Sequence, residues 1–242
     1  MIALVPARAG SKRIPGKNIR LLAGHPVLAY TLWAAQQSGV FDRMYCSTED
    51  QATGLLAEQH GAAWIWRPPD LATDDSPDIA WIRHVLDRIR RPRSFAILRP
   101  TSPFRTAETI QRAYQEFAMS DGTHDSLRAV QPAREHPGKM WQWTGPGYPI
   151  TPLLSGTRSD GVPWHSAPTQ SLPVFYVQNS SLEMAWTACV EVHGNIHGRK
   201  VIPFLTEGYE GMTLDYPEDL ERAELLVARG RARLPAAAPD AR

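Results

Sequence analysis

The sequence predicts an α/β fold: a mostly parallel, doubly wound sheet with a small projecting lobe. Short apolar runs of strand length alternate with stretches whose apolar residues recur at helix spacing. That βαβα rhythm builds parallel sheets with right-handed crossovers. It stops after Val130, where residues 132–172 turn rich in Pro, Gly and Trp and lose helical period. A structureless loop of that length is out of place in a compact domain, so the stretch reads as a small irregular or β lobe.

The elements follow in order. Ile2–Pro6 reads as a buried strand. Pro26–Ser38 reads as a helix with Pro at its first turn and Gly39 past its end. Arg43–Ser47 and Ala62–Trp66 read as strands flanking a helix over Asp50–His60 that Gly61 stops. The polar loop Arg67–Ser76 leads into a helix over Pro77–Arg90, whose Ile79, Ile82, Val85, Leu86 and Ile89 share a face. Ser94–Arg99 is the fourth strand, ended by the sharp turn Pro100-Thr101-Ser102-Pro103. Thr106 caps a helix with Ile110, Ala113, Tyr114 and Phe117 on its buried face. Past the lobe, Phe175–Val177, Met184–Val192 and Lys200–Phe204 read as strands. Pro217–Arg229 reads as the last helix, with Glu218, Asp219 and Glu221 suited to its N-terminal dipole. The expected organisation is one domain over 1–229 and a disordered Ala/Pro tail over 230–242.

Composition narrows the function. Hydrophobic content of 43% and charged content of 21% are ordinary for a soluble globular enzyme. A net charge of +1 gives no global attraction to nucleic acid or membrane, so any polyanion binding must be local. Cys46 and Cys189 sit in apolar runs and read as buried thiols. No apolar stretch approaches membrane-spanning length. The first apolar run is too short, and too soon followed by Arg8, for a signal peptide. The expected setting is a reducing cytoplasm.

The stretch Pro6-Ala7-Arg8-Ala9-Gly10-Ser11-Lys12-Arg13-Ile14-Pro15-Gly16-Lys17-Asn18 carries the chemistry. A strand that opens into a Gly- and Lys-rich loop lets backbone N–H groups approach phosphate oxygens, while Arg8, Lys12, Arg13 and Lys17 supply charge. Lys17 reads as a side chain that carries charge rather than packing. The loop is neither a Walker A loop, since five residues separate Gly10 from Gly16 and Asn18 follows Lys17, nor a G-x-G-x-x-G dinucleotide loop. It resembles the loop A-R-x-x-S-K-x-x-x-x-K-N of the CMP-sialate synthetase (acylneuraminate cytidylyltransferase) family. Further segments resemble that family in the same order: Cys46-Ser47-Thr48-Glu49, then Arg67-Pro68-Pro69-Asp70-Leu71-Ala72-Thr73-Asp74, then Arg99-Pro100-Thr101-Ser102-Pro103-Phe104-Arg105, then Leu214-Asp215-Tyr216-Pro217-Glu218-Asp219-Leu220. The lobe matches only at His136-Pro137-x-Lys139.

The resemblance implies a Rossmann-like nucleotidyltransferase fold and transfer of CMP from CTP to an acidic small molecule with release of pyrophosphate. A nonulosonic or related acidic sugar is the default acceptor; a phosphonate or other small oxyacid, or a nucleotide-binding domain that has lost catalysis, are alternatives. Arg8, Lys17 and Asp215 are the expected catalytic residues. Pro6, Ala7, Gly10, Ser11, Lys12, Arg13, Asn18, Thr73, Ser76, Pro100 and Thr101 join Arg8 and Lys17 around the nucleotide. Asp215 falls on the family's metal Asp, for Mg²⁺ or Mn²⁺. His136 reads as structural more readily than as a base, and Trp164 or Tyr176 as acceptor-pocket candidates. Arg99, Arg105, Arg128, Lys139, Gln178 and Asn179 are the expected acceptor contacts, Arg being suited to carboxylate by its planar fork. The lobe implies a homodimer contact.

Three departures stand out. Thr213 occupies the place of a second family carboxylate, Arg99 that of a Gln, and Thr169 that of the lobe Arg that grips the sialate carboxylate.

Overall fold

Alternation along the first strand organises the molecule. Ala3 and Val5 point into one apolar cluster, and Ile2 and Leu4 into another on the opposite face of the sheet. The computed structural model describes residues 1–120 and 122–237. In chain order the strands are β1 (Ile2–Pro6), β2 (Leu21–Leu22), β3 (His25–Pro26), β4 (Arg43–Thr48), β5 (Ala63–Trp66) and β6 (Ser94–Ile97). They continue with β7 (Ser126–Pro132), β8 (Trp141–Gln142), β9 (Thr151–Pro152), β10 (Tyr176–Trp186) and β11 (Val201–Leu205). The helices are α1 (Val27–Ser38), α2 (Gln51–Gln59), α3 (Asp78–Leu86), α4 (Ala107–Met119), α5 (Thr187–Val192) and α6 (Pro217–Ala228).

Seven strands form one sheet in the order β11-β7-β10-β6-β1-β4-β5. β1 pairs in parallel with β4 and β6, and β4 with β5, while β10 runs antiparallel to β6. One face is covered by α1 and α4 through Leu28, Leu32, Ile110 and Phe117. The other is covered by α3 and α5 through Trp81, Ile82, Val85, Cys189 and Val190. This is the doubly wound α/β arrangement the alternating pattern predicts. A third cluster seats α6 (Ala223, Leu226) with Tyr30, Trp33 and Phe104, which fixes Leu214 and the segment that follows it.

Four sequence expectations need correction. Met184–Val192 is not one strand: β10 ends at Trp186 and Thr187–Val192 is helix α5. Short apolar runs do not distinguish strand from buried helix by periodicity. Helix α3 stops at Leu86, where the chain tightens and Arg88 N–H reaches Val85 O at 3.0 Å. Tyr114 is exposed rather than on the buried face of α4. The segment from Gly230, expected as disordered, packs Ala232 and Leu234 against the third cluster, and Gln37 donates to Ala236 O. Residues 238–242 of that tail lie outside the described residues.

The described chain divides into two units. Met1–Ala129 and the chain from Asn179 onward form the first, and Val130–Gln178 the second. The second holds the β8–β9 pair and three short 3₁₀ turns. Within it, Lys139 Nζ donates to His165 O (2.8 Å) and Ala167 O (2.6 Å). His136 Nδ1 accepts from Gly138 N–H at 2.9 Å, and Nε2 lies 3.0 Å from Pro173 O. Nε2 must then carry the proton, and both ring nitrogens are spent on backbone. His136 is structural.

Candidate active site

Loops after the carboxyl ends of parallel strands are where open α/β sheets bind ligands. The basic loop after β1 is an ordered object. Ala7 N–H continues the ladder to Ser47 O at 3.0 Å, and Asn18 Nδ2 closes the loop on Arg8 O at 2.9 Å. Ala9 N–H donates to Glu49 Oε1 at 2.8 Å, which draws the loop toward the end of β4. Ile14 is buried beneath it, and Gly16 turns the chain with a φ of 62° that favours glycine. A Cβ at Gly10 would meet nothing within 4 Å, so the fold itself does not require glycine there.

A cleft of about 270 Å³ opens beside this loop. Pro6, Arg8, Ser11, Lys17 and Asn18 form one wall; Arg67, Leu71, Thr73 and Ser76 the second; Asp78, Trp81, Arg99, Pro100 and Thr101 the third. A second hollow of about 360 Å³ shares Arg8, Ser11, Lys17 and Asp74 with it and adds Lys12, Arg13 and Asp215. The expected nucleotide residues are therefore brought together. Ala7 and Gly10 are the exceptions: neither lines the two hollows, and Ala7 is buried with its N–H used by the sheet.

Every cation here has a partner. Lys17 Nζ donates to Leu214 O at 2.8 Å and to Asp215 Oδ1 at 3.2 Å, and Thr213 Oγ1 donates to Asp215 Oδ2 at 2.9 Å. Thr213, read as a lost carboxylate, thus orients the remaining one. Asp215 is not the cap of α6. Asp219 Oδ2 takes the N–H groups of Asp215 and Tyr216, at 2.9 and 2.8 Å. Asp219 is thereby a backbone anchor, and Asp215 is left facing the hollow. Asp74 pairs with Arg8 Nη2 at 2.8 Å and Lys12 Nζ at 2.5 Å, and hydrogen bonds from Lys12 and then Arg8 hold its carboxyl below the usual range. The Arg13 guanidinium lies 4.8 Å over the Tyr216 ring.

The acceptor expectations fare differently. Arg105 is fully buried, donating to Ser181 O, to Thr31 Oγ1 at 2.8 Å and to Arg99 O at 3.3 Å. Burial pushes its guanidinium down to about 9, still charged at neutral pH. It ties α1, β10 and the turn after β6 together and cannot touch a ligand. Arg128 Nη2 pairs with Glu183 at 3.1 Å. Arg99 lines the cleft, but its Nη2 is held by Asp78 at 2.6 Å and Glu183 at 3.0 Å. The Asn179 amide holds Thr206 Oγ1 and accepts from Ser181 N–H, at 2.9 and 3.1 Å. Lys139 is spent on carbonyls inside the second unit, where Gln178, Trp164 and Tyr176 also belong and Gln178 is exposed. Charge and position in sequence suggested these residues; their partners were not legible.

Sequence reasoning missed several contributors. Arg67 is buried, donates from Nε and Nη2 to Ser47 Oγ and O at 3.0 Å each, and stacks 4.9 Å over Trp81. Burial lowers its guanidinium to about 10. Asp78 and Trp81 wall the cleft while joined to each other at 2.8 Å. Burial alone would raise the Asp78 carboxyl, but Arg99 and Trp81 outweigh it and hold it low. The available signals were the place of Arg67 and Asp74 in a polar loop following a strand and at the two ends of a segment that resembles the family. Burial pushes the Cys46 thiol up to about 12, so it is inert packing.

Known proteins resemble this chain in sequence and in fold. The family model described as Cytidylyltransferase matches residues 2–136. The N-acylneuraminate cytidylyltransferase of Escherichia coli O18:K1:H7 is 42% identical over 117 residues, which cover 48% of this chain and 28% of that protein. The CMP-N,N'-diacetyllegionaminic acid synthase of Legionella pneumophila is 44% identical over 137 residues, covering 54% of this chain and 58% of that protein. The chain thus spans only part of the length of these curated relatives. Among solved structures, a CMP:2-keto-3-deoxy-manno-octonic acid synthetase complexed with CTP superposes with a TM-score of 0.68 at 12% identity, covering 95% of this chain and 98% of that one; this likeness shows the fold. With more than half its length matched by the family model, the chain belongs to the cytidylyltransferase family.

Proposed function

We propose that this chain transfers CMP from CTP to an acidic sugar of the nonulosonic class, releasing pyrophosphate. The observation that carries the reading is the convergence of Arg8, Lys12, Lys17 and Asp215 on one hollow that shares its wall with the cleft of about 270 Å³. The acceptor hydroxyl oxygen attacks the α-phosphorus, the bond to the bridging oxygen of the β-phosphate breaks, and the acceptor's proton leaves to water. Such a transfer needs positioning and charge neutralisation more than covalent catalysis. Arg8, Lys12 and Lys17 hold the triphosphate and stabilise the departing pyrophosphate. The walls at Thr73, Ser76, Pro100 and Thr101 receive the nucleoside.

Asp215 is the residue that would hold a Mg²⁺ or Mn²⁺ ion beside the triphosphate. Among the described residues no three His, Cys, Asp or Glu side chains gather to hold a metal unaided. Asp215 offers a half-exposed carboxylate oriented by Thr213, which suits a hard cation that takes one protein ligand and keeps waters. When bound, the ion would offset charge on the α-phosphate and the leaving pyrophosphate.

A homodimer through the second unit and a cytoplasmic setting belong to the same proposal. The exposed Trp143, Tyr148, Ile150 and Val174 support the first, and two free, buried cysteines the second. No helix among the described residues is long and apolar enough to cross a membrane. The departures at Arg99 and Thr169 are what favour a phosphonate acceptor; the ion pairs of Arg99 with Asp78 and Glu183 weaken the part that rests on Arg99. The testing experiment is a pyrophosphate-release screen of nucleoside triphosphates against sugar acids and phosphonates. CTP with a nonulosonic acid should give the signal, N-acetylneuraminate turning over poorly because Thr169 replaces the family's Arg. CTP binding without turnover of any acid would leave a nucleotide-binding domain.

A further inference from the structure

We propose that Asp74 is an internal competitor for the triphosphate: a carboxylate that occupies the Arg8–Lys12 cation pair between turnovers and sets how tightly nucleotide and pyrophosphate are held. The inference rests on the proposed role of those two cations in holding phosphate. Its geometry is that of a bound oxyanion. One Asp74 oxygen lies 2.8 Å from Arg8 Nη2 and the other 2.5 Å from Lys12 Nζ, so each cation faces one oxygen. Lys12 is 83% exposed, and among the described residues the partner of its ammonium is this carboxylate. Asp74 lines both the cleft and the adjoining hollow and stands where the two meet. The neighbouring carboxylates have other duties: Glu49 fastens the Ala9 N–H, and Asp219 fastens those of Asp215 and Tyr216. Both oxygens of Asp74 are spent on the cations that the substrate needs.

A ligand that takes both cations must first displace this carboxylate. Its apparent affinity is then reduced by the fraction of protein in which Asp74 has swung away. That factor is common to every such ligand. CTP and pyrophosphate are both held more weakly than the cations alone would hold them, and pyrophosphate leaves as Asp74 returns.

The test is calorimetric titration of CTP and of inorganic pyrophosphate in the presence of a metal chelator. It uses the wild type, Asp74→Asn, Lys12→Ala and the double variant, with melting curves to confirm folding and Asp74→Ser as a second replacement. Asp74→Asn should tighten both ligands by one shared factor, on the order of threefold or more given two exposed ion pairs. In the Lys12→Ala background that gain should shrink. Unchanged or weaker binding in Asp74→Asn and Asp74→Ser, with Lys12→Ala still weakening both ligands, overturns the competitor while leaving the cations in place. If Lys12→Ala leaves both affinities unchanged, the phosphate-loop reading fails first, and this inference with it.

Discussion

Lys17→Ala separates what the sequence suggests from what the structure adds. In the sequence, Lys17 is a charge carried on a loop, and its removal should leave the fold untouched. In the structure the side chain is only 15% exposed and bridges the loop to residues far along the chain, through Leu214 O at 2.8 Å and Asp215 at 3.2 Å. The largely buried, charge-assisted bond to the carbonyl contributes about 1.5–3 kcal/mol. The pair with Asp215 adds less than about 1 kcal/mol, because that carboxylate is 44% exposed and screened. The variant should therefore lose about 2–3 kcal/mol of stability, which corresponds to a fall in Tm of roughly 4–12 °C for a domain of this size. Turnover should fall further, since the proposed phosphate contact would contribute a similar amount again in the transition state, about ten- to a hundredfold in rate. Denaturant unfolding gives the first quantity, and pyrophosphate release from CTP at saturating acceptor, below the lowered Tm, gives the second. Turnover like that of the wild type would remove Lys17 from the mechanism. An unchanged unfolding midpoint would deny the tether to Leu214.

Three further outcomes follow from the same contacts. Asp215→Asn should abolish metal-dependent turnover with little change in Tm, since the amide oxygen still accepts from Thr213 and the α6 anchor belongs to Asp219; surviving turnover would place the metal elsewhere. Arg105→Met should cost about 3 kcal/mol or more by orphaning Ser181 O and Thr31 in the core, and folded protein at low temperature should keep its acceptor KM; a KM effect at full stability would return Arg105 to the acceptor site. Asp78 has a folded-state carboxyl held below its ordinary 3.8, so its contribution to stability is present above that value and lost as pH falls through the lower folded value. Asp78→Asn should accordingly flatten the acid limb of the stability curve below about pH 4, read by urea unfolding at stepped pH.

Much of the fold was legible because its signals are local. The capping role of Thr106, Gly39 past α1 and the helical spacing of Ile82, Val85 and Leu86 each depend on a few neighbouring residues. The basic loop was legible for the same reason, since one strand and one run of residues build it. What failed was non-local. Nothing near Arg105 in the chain announces Ser181 or Thr31, and nothing near Arg99 announces Glu183. The antiparallel course of β10 depends on where the chain returns from its second unit, which periodicity does not encode.

Those misreadings share one physical cause, which bears on how the site works. A cation in sequence is a free charge, whereas a cation in a folded cleft has already been neutralised. Arg8 and Lys12 hold Asp74, Lys17 holds Asp215, and Arg99 holds Asp78 and Glu183. Unpaired, these charges would repel one another across the cleft and destabilise the loops that carry them. Compensation by carboxylates keeps the cleft folded before substrate arrives, and it makes binding an exchange of anions rather than a simple attraction. The exchange is easy where the carboxylate is exposed, as at Asp74, and hard where it is buried, as at Glu183. Phosphate therefore has ready access to Arg8 and Lys12, while an acceptor carboxylate gains little by competing for Arg99. Acceptor recognition must then draw on hydrogen bonding more than on a spare cation of this wall. Arg99→Gln should on that account damage stability, by leaving Asp78 without its cation and Glu183 with Arg128 alone, more than it damages acceptor KM. A large KM effect with an unchanged unfolding midpoint would show instead that Arg99 exchanges its partners as freely as Arg8.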